Sequence, residues 1–339
     1  MSIPYRTQQG LKRLGVVLLI LAAASALVLL CWFLWLDRFV VYTAEGVVLD
    51  FEQSLEFAPG EQALPPEDMA TIPIYYNEGD DAVEEVTTEL TKITGYYIDT
   101  TALKKDLELV KSQVQQLPAG TPVMVEVKNS YGSFYYNTVA GASTTETVDL
   151  NAMDELIQIM NKQDLYTIAC LPALRDYYFG LHNTRCGLPT AGGYLWADSD
   201  YKYWLNPAKE GTISYLISIA NELNELGFDE VLFTEFEFPD TNKIVFKGDK
   251  AETLKEAAQT LVANCATSTF AVSFEGSDGF IPPVGRSRVY MMGREAIEAE
   301  SLAAGSGVAD TAINLVFVTD LYDTRFDIYS VLRPLSSAI

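Results

Sequence analysis

The sequence predicts an eight-stranded (β/α)8 barrel of the TIM type, preceded by a single N-terminal transmembrane helix. From Gly95 onward, short apolar runs alternate with longer helical ones, the pattern of βα units wound around a parallel sheet. Seven candidate strands are visible, more than most open sheets of this length carry. Residues 14–36 form one uncharged, strongly apolar run, long enough for a helix that needs roughly 20 residues to cross the hydrocarbon layer.

The chain begins with a short tail, residues 1–13, that carries Arg6, Lys12 and Arg13. From Thr43 to Thr91 there is no Lys or Arg. The positive-inside rule then puts the tail in the cytoplasm and the C-terminal domain outside, on a single-pass anchor in the cell membrane. Ala24-Ser25-Ala26 resembles a signal-peptide cleavage site, but cutting there leaves a second apolar run from Val28 to Leu36. Cys31 follows Leu29-Leu30 rather than small residues, which argues against lipid attachment.

Residues 37–94 read as an acidic spacer. Between 39 and 94 there are thirteen acids and no base before Lys92, with Pro65-Pro66 and Gly79-Asp80-Asp81 as breakers. Two apolar runs in it, Gly46 to Phe51 and Ile72 to Tyr76, are expected to pair as a small hairpin.

Residues 95–339 form the predicted barrel domain. Its strands are expected at 95–99, 122–128, 165–174, 230–238, 269–274, 288–292 and 313–321, with Gly46 to Phe51 supplying the eighth. Helices are expected over 102–116, 150–163, 212–226 and 251–264. The third of these aligns Ile213, Leu216, Ile217, Ile219, Ala220 and Leu223 on one apolar face, as a helix packed on a sheet requires. An open doubly wound sheet is the alternative, but no glycine-rich loop follows the first strand, so nothing points to a nucleotide.

Composition narrows the chemistry. With 46 acids against 23 bases and a formal charge of -23, the chain repels phosphate, and nucleic acid is excluded as a partner. His182 is the only histidine, so a histidine-built metal centre is impossible. Cys170, Cys186 and Cys265 fit no zinc spacing and are odd in number. Asp198-Ser199-Asp200 lacks the further ligands of a calcium loop. No metal and no cofactor are expected.

Polar residues collect at the predicted C-terminal strand ends: Asp99, then Glu126 and Lys128, Arg175 and Asp176, Glu235 and Glu237, Glu275, and Asp320. Barrel enzymes keep their chemistry there. Carboxylates gathered at one rim without metal-binding histidines suit glycosidic bond hydrolysis, in which one acid protonates the leaving oxygen and another serves as nucleophile or base. The loop from Arg175 to Glu210 carries Tyr177, Tyr178, Tyr194, Trp196, Tyr201, Tyr203 and Trp204. Such rings either stack on sugars in a cleft or pack the loop against the barrel rim.

Several segments resemble, in order, a bacterial family of TIM barrels described as a glycosyl hydrolase domain and otherwise of unknown function. VMVEVKNSYGSFYYNT at 123–138 is similar to that family's second-strand motif, VVIDVKDDxGxxxYxS. GYYIDTTALKKDLELVK resembles its opening strand and helix, and IACLPALRD its third strand. YLWADSDYKYWLNP resembles its Trp-Asn-Pro or Trp-Asp-Pro loop, and GFDEVLF its GFDEIQF segment. The similarity spans roughly residues 95–321 and implies an (α/β)8 barrel and, by analogy, carbohydrate hydrolysis.

The departures are specific. Where the family reads FDYVRFP, this chain reads FTEFEFP, so the family's Asp falls on Thr234 and its Arg on Glu237. Its second-strand Asp is Glu126 here, and its Lys is kept as Lys128. Its fifth-strand Asp falls on Ser273. Thr and Ser do not act as general acids near neutral pH. TEFEFP also resembles the DxDxE segment of chitinase-type barrels, which makes Glu237 the acid and Glu235 its partner. The two alignments oppose each other, because side chains alternate along a strand: the first turns Thr234 into the barrel, the second Glu235 and Glu237.

The leading reading is a membrane-anchored, extracytoplasmic glycoside hydrolase acting on peptidoglycan or another cell-envelope or external polysaccharide. Glu237 and Glu235 are its catalytic candidates, and Glu126, Lys128, Asp176, Trp196, Trp204 and Glu275 its substrate-binding ones. The alternatives are a catalytically degenerate barrel that binds glycan, and an envelope structural or interaction protein.

Overall fold

The computed structural model describes residues 40–43, 46–49, 89–143, 147–277 and 279–335. The chain divides into two compact units, residues 1–80 and 81–339. In the first, Val40–Thr43 pairs antiparallel with Gly46–Leu49, Thr43 facing Gly46. The strand expected from Gly46 onward is therefore present, but its partner precedes it in sequence; Ile72 to Tyr76 lies outside the described residues. So does the apolar run at 14–36, and no helix among the described residues is long and apolar enough to cross a membrane.

The second unit is a closed barrel of eight parallel strands in sequential order. They are β1 (Thr94–Ile98), β2 (Pro122–Glu126), β3 (Tyr166–Pro172), β4 (Glu230–Thr234), β5 (Ala271–Glu275), β6 (Val289–Met292), β7 (Leu315–Val318) and β8 (Ser330–Pro334). All seven strands expected from the barrel segment form. The eighth is a correction: β8 closes the barrel between β7 and β1, and Gly46 to Phe51 takes no part. Its segment, SVLRP, is short and ends in Arg-Pro, so it carries little strand pattern of its own. Barrel closure needs only that both of its edges find a neighbour.

Strand alternation sorts the core into layers. Inward positions Met124, Ile168, Cys170, Leu232, Tyr290, Val316, Val318 and Leu332 fill the barrel. Outward positions on β2 to β5, such as Val125, Leu171, Phe233 and Phe274, pack with helix residues including Leu156, Leu216, Leu223 and Leu261.

The helices are α1 (Thr100–Lys105), α2 (Leu107–Val114), α3 (Leu150–Lys162), α4 (Tyr177–His182), α5 (Glu210–Glu225), α6 (Lys250–Cys265), α7 (Ala299–Gly305) and α8 (Thr311–Asn314). The expected helix 102–116 is broken at Asp106, whose φ of -164° is not helical and whose side chain caps α2 through the Leu109 N–H at 2.9 Å. On α5 the buried face is Thr212, Tyr215, Leu216, Ile219, Ala220 and Leu223; Ile213 and Ile217 are only partly buried.

Helix cover is uneven. Long helices follow β2, β3 and β4, whereas no described helix joins β5 to β6, and the β7 to β8 connection holds only a 3-10 turn, Thr324–Phe326. The outer faces of β6 to β8 pack instead on small and loop side chains, among them Ala299, Ala303, Phe326 and Tyr329. A cavity of about 440 Å³ lies there, over Val289 and Met291, away from the carboxylates of the rim.

The floor of the barrel is polar. Glu230, at the first position of β4, is fully buried and accepts hydrogen bonds from Tyr166 at 2.7 Å, Tyr290 at 2.9 Å and Ser273 at 2.5 Å. Arg288, 1% exposed, pairs with the same carboxylate and reaches Tyr166 at 2.9 Å and the Thr91 carbonyl at 2.8 Å. Ser273, where the resembled family carries Asp, belongs to this floor rather than to the mouth.

Candidate active site

The C-terminal mouth is built by residues whose positions follow from strand register. Glu126 ends β2 and faces inward beside Cys170 of β3. One of its oxygens accepts from the Thr100 N–H at 2.6 Å and the Thr100 hydroxyl at 2.5 Å. Glu275 ends β5 on the inward face and accepts from the Glu235 backbone N–H at 2.9 Å. Burial, and then the charges of Glu126, Glu275 and Glu235, push the pKa of the Cys170 thiol well above its ordinary value.

The β4 end resolves the two alignments. Glu230, Leu232 and Thr234 alternate inward, as the glycosyl-hydrolase-domain alignment requires. Glu235 then leaves the strand with a φ of +49°, a left-handed conformation that an extended side chain rarely adopts and that costs about 1–3 kcal/mol. The turn delivers Glu235 back to the mouth. Phe236 is buried against Phe274 and Phe280, and Glu237 is exposed, past the strand end. The strand parity assumed by the chitinase-like alignment is thus not followed.

The Glu235 carboxyl has a raised pKa. Burial raises its pKa, Arg175 pulls it down, Glu275 pushes it up again, and the net shift is upward. Its Oε1 accepts from Arg175 Nη1 at 2.9 Å, while its Oε2 is buried with no hydrogen-bond partner. Arg175 is itself held by Asp198 at 2.6 Å and Asp200 at 2.7 Å. The Asp-Ser-Asp run that lacked the ligands of a calcium loop therefore serves as an arginine clamp. Trp204 donates to Asp198 at 3.0 Å and braces it.

Four predicted substrate contacts have other surroundings. Lys128 and Asp176 form an ion pair at 2.8 Å with both side chains 0% exposed. Lys128 also donates to the Pro172 carbonyl at 2.9 Å, and Asp176 accepts from Tyr215 at 2.9 Å and caps α4 through the Phe179 N–H at 2.8 Å. Neither side chain is exposed to solvent. Gly132, with φ +83°, lies so close that a Cβ there would meet an Asp176 oxygen at 2.1 Å. Trp204 is 7% exposed and Trp196 is partly buried against the core, so neither presents an open stacking face. Tyrosines take that place: Tyr131 is 55% exposed, lies over Lys202 at 3.3 Å and meets Tyr177 edge-on, and Tyr177 stacks on Tyr203. Tyr131, one residue before the motif glycine, carried no signal of this in the sequence.

Replacing Lys128 with Met is expected to cost about 3–5 kcal/mol, because Asp176 is left buried without its counter-charge. Urea unfolding monitored by circular dichroism reads this directly. An unchanged midpoint would return Lys128 to a role in substrate binding.

Asp99 caps α1 through the Ala102 N–H at 2.8 Å. With Asp320 and Glu126 it lies near the Tyr97 hydroxyl, whose pKa is raised by burial and then by Asp320, Asp99 and Glu126. Among the described residues no group of His, Cys, Asp and Glu is arranged to hold a metal ion.

The fold has known counterparts. A GH36 alpha-galactosidase, AgaA, from Geobacillus stearothermophilus superposes with a TM-score of 0.51 at 10% identity, over 73% of this chain and 39% of its own. A hypothetical protein from Ruminiclostridium thermocellum aligns at 21% identity over 55% of this chain and 100% of its own, with a TM-score of 0.47. A GH20 exo beta-N-acetylglucosaminidase from Vibrio harveyi aligns at 9% identity over 68% and 41%, with a TM-score of 0.46. The chain thus spans less than half the length of either glycosidase, and at these identities the likeness is one of fold. No curated protein matches the chain significantly. A family model described as "Putative glycosyl hydrolase domain" matches residues 93–272, from the start of β1 into β5 and just short of Glu275. With that match over more than half its length, and with the barrel that the motifs implied, the chain belongs to the glycosyl hydrolase domain family of that description.

Proposed function

We propose that the protein is a glycoside hydrolase of the cell envelope, held in the membrane by residues 14–36 with its barrel outside, and acting on peptidoglycan or another envelope or external polysaccharide. The observation that carries this reading is Glu235: a carboxyl with raised pKa and one buried, unpartnered oxygen, held by Arg175 beside Glu275 and Glu126. A carboxyl that keeps its proton to higher pH suits the general acid, and an ionised neighbour suits the nucleophile or base. Glu275 takes the second role, because it is the inward carboxylate at the end of β5 and lies beside Glu235, whose backbone N–H it accepts. Thr234 and Ser273 stand where the resembled family carries Asp. Glu235 lies one position beyond Thr234, and Glu275 two positions beyond Ser273 on the same inward face. The chain thus retains two carboxylates on β4 and β5, displaced toward the mouth.

The second reading, a barrel that binds glycan without cleaving it, is favoured by those same two replacements. One assay separates the two. The full chain in detergent is incubated with peptidoglycan and N-acetylglucosamine oligomers, and new reducing ends are measured beside a Glu235→Gln control. Release abolished in the control supports the hydrolase. Retention of glycan without release by either protein favours the binding barrel, and neither release nor retention favours an envelope structural or interaction protein.

A further inference from the structure

The mouth is open on one side. A cavity of about 360 Å³ runs from Tyr97, Asp99 and Asp320 across the β8 end at Pro334 and out along α2 to Leu109 and Gln113. Its volume lies in the range of ligand sites. It exists because the helical segment after β1 breaks at Asp106, which itself lines the space. At its inner end, Asp99, Asp320 and Pro334 lie at the C-terminal ends of β1, β7 and β8, on the same rim of the barrel as the carboxylates of β2 and β5. Leu109, 51% exposed, and the Tyr97 ring offer apolar faces, and Thr101, Gln113, Asp99 and Asp320 offer hydrogen-bonding groups. That mixture fits a sugar ring, whose C–H faces pack on apolar surface while its hydroxyls bond at the edges.

We propose that this groove is a binding site for the continuing chain of a polymeric glycan, so that the protein engages a polysaccharide along its length rather than at its end, and that the glycan backbone it takes is uncharged or amino-bearing rather than built of uronate or phosphate units. The proposal rests on the glycan reading of the mouth. Its charge preference comes from pairing. At the mouth, Arg175 is taken up by Asp198, Asp200 and Glu235, and Lys128 is sealed with Asp176. Lys105 is the sole cation among the described lining residues, against Asp99, Asp106 and Asp320. A uronate or phosphate chain therefore meets three carboxylates against one lysine along the groove.

The test is native gel electrophoresis of the full chain in detergent, in gels containing glycol chitin, galactan or polygalacturonate. Wild type, Glu235→Gln and Leu109→Ala are compared, with thermal unfolding to verify that Leu109→Ala, an exposed substitution, is folded. At least one neutral or amino-bearing polymer is expected to retard wild type and Glu235→Gln equally, with retardation weakened about tenfold in Leu109→Ala, the loss of one well-packed contact. Polygalacturonate is expected to have no effect. Equal retardation of folded Leu109→Ala, stronger retardation by polygalacturonate, or no retardation by any polymer overturns the groove. Glu235→Gln separates this from the reading of the mouth: retardation that depends on Leu109, in a wild type that releases no reducing ends, keeps the groove and removes the hydrolase.

Discussion

Glu235→Gln is expected to lower kcat by about 10²–10⁴, the contribution of a positioned general acid, with the fold intact because Gln can still accept from Arg175. The pH dependence follows from the raised pKa of Glu235. A general acid works while protonated, so activity falls as pH rises through the folded-state pKa, and the upward shift places this alkaline limb above that of an ordinary carboxyl. Arg175 is the main group pulling that pKa down. Arg175→Gln is therefore expected to move the limb to higher pH, a displacement in the kcat profile that general loss of structure does not produce. An unmoved limb would remove Glu235 as the acid.

The same carboxyl has a cost in stability. Because its folded pKa is raised, its contribution to folding is fully present below the unfolded value and is lost as pH rises through the folded one. At neutral pH it is a burden, added to the left-handed backbone at φ +49°. Glu235→Gly relieves both, since glycine adopts that conformation without strain. It is expected to raise Tm by about 2–4 °C at pH 7, corresponding to about 1 kcal/mol, with a smaller gain in acid where the carboxyl is protonated, and to be inactive. A lower Tm at pH 7 would mean that Glu235 is held for structure.

The barrel floor is expected to give a stability effect as large as that of Lys128→Met. Arg288→Met leaves Glu230 buried with only neutral partners, Tyr166, Tyr290 and Ser273. Removing one member of a buried ion pair costs about 3–5 kcal/mol, an appreciable fraction of a domain's total stability. Converting both residues, Glu230→Gln with Arg288→Met, is expected to recover part of that loss because no uncompensated charge remains. Urea unfolding of the two single variants and the double variant measures the coupling. Additive losses would show that the floor is held by packing, not by its charges.

Much of the fold was legible because it depends on local pattern. Seven strands and the helices at 150, 212 and 251 announce themselves by apolar runs and helical periodicity, and each forms within a few residues of its expected place. The motif VMVEVKNSYGSFYYNT was equally legible, but its meaning was not. Its Lys128 and Gly132 are built around the buried Asp176, so this part of the resemblance reports architecture. Conversely, Arg288 and Glu230 read as ordinary strand-end charges, since nothing local distinguishes a charge that meets solvent from one that meets its partner 58 residues away across the barrel.

The sequence by itself determined the barrel class and the acidic mouth, because these follow from periodicity and the ends of strands. Only the tertiary structure decided which carboxylates meet. Alternation along β4 points to Thr234, and a single left-handed residue, stabilised by an arginine clamp from the β3 loop and by Glu275 of β5, overrides it for Glu235. That choice depends on three segments distant in sequence, and a backbone angle that costs free energy locally persists only where such contacts offset it.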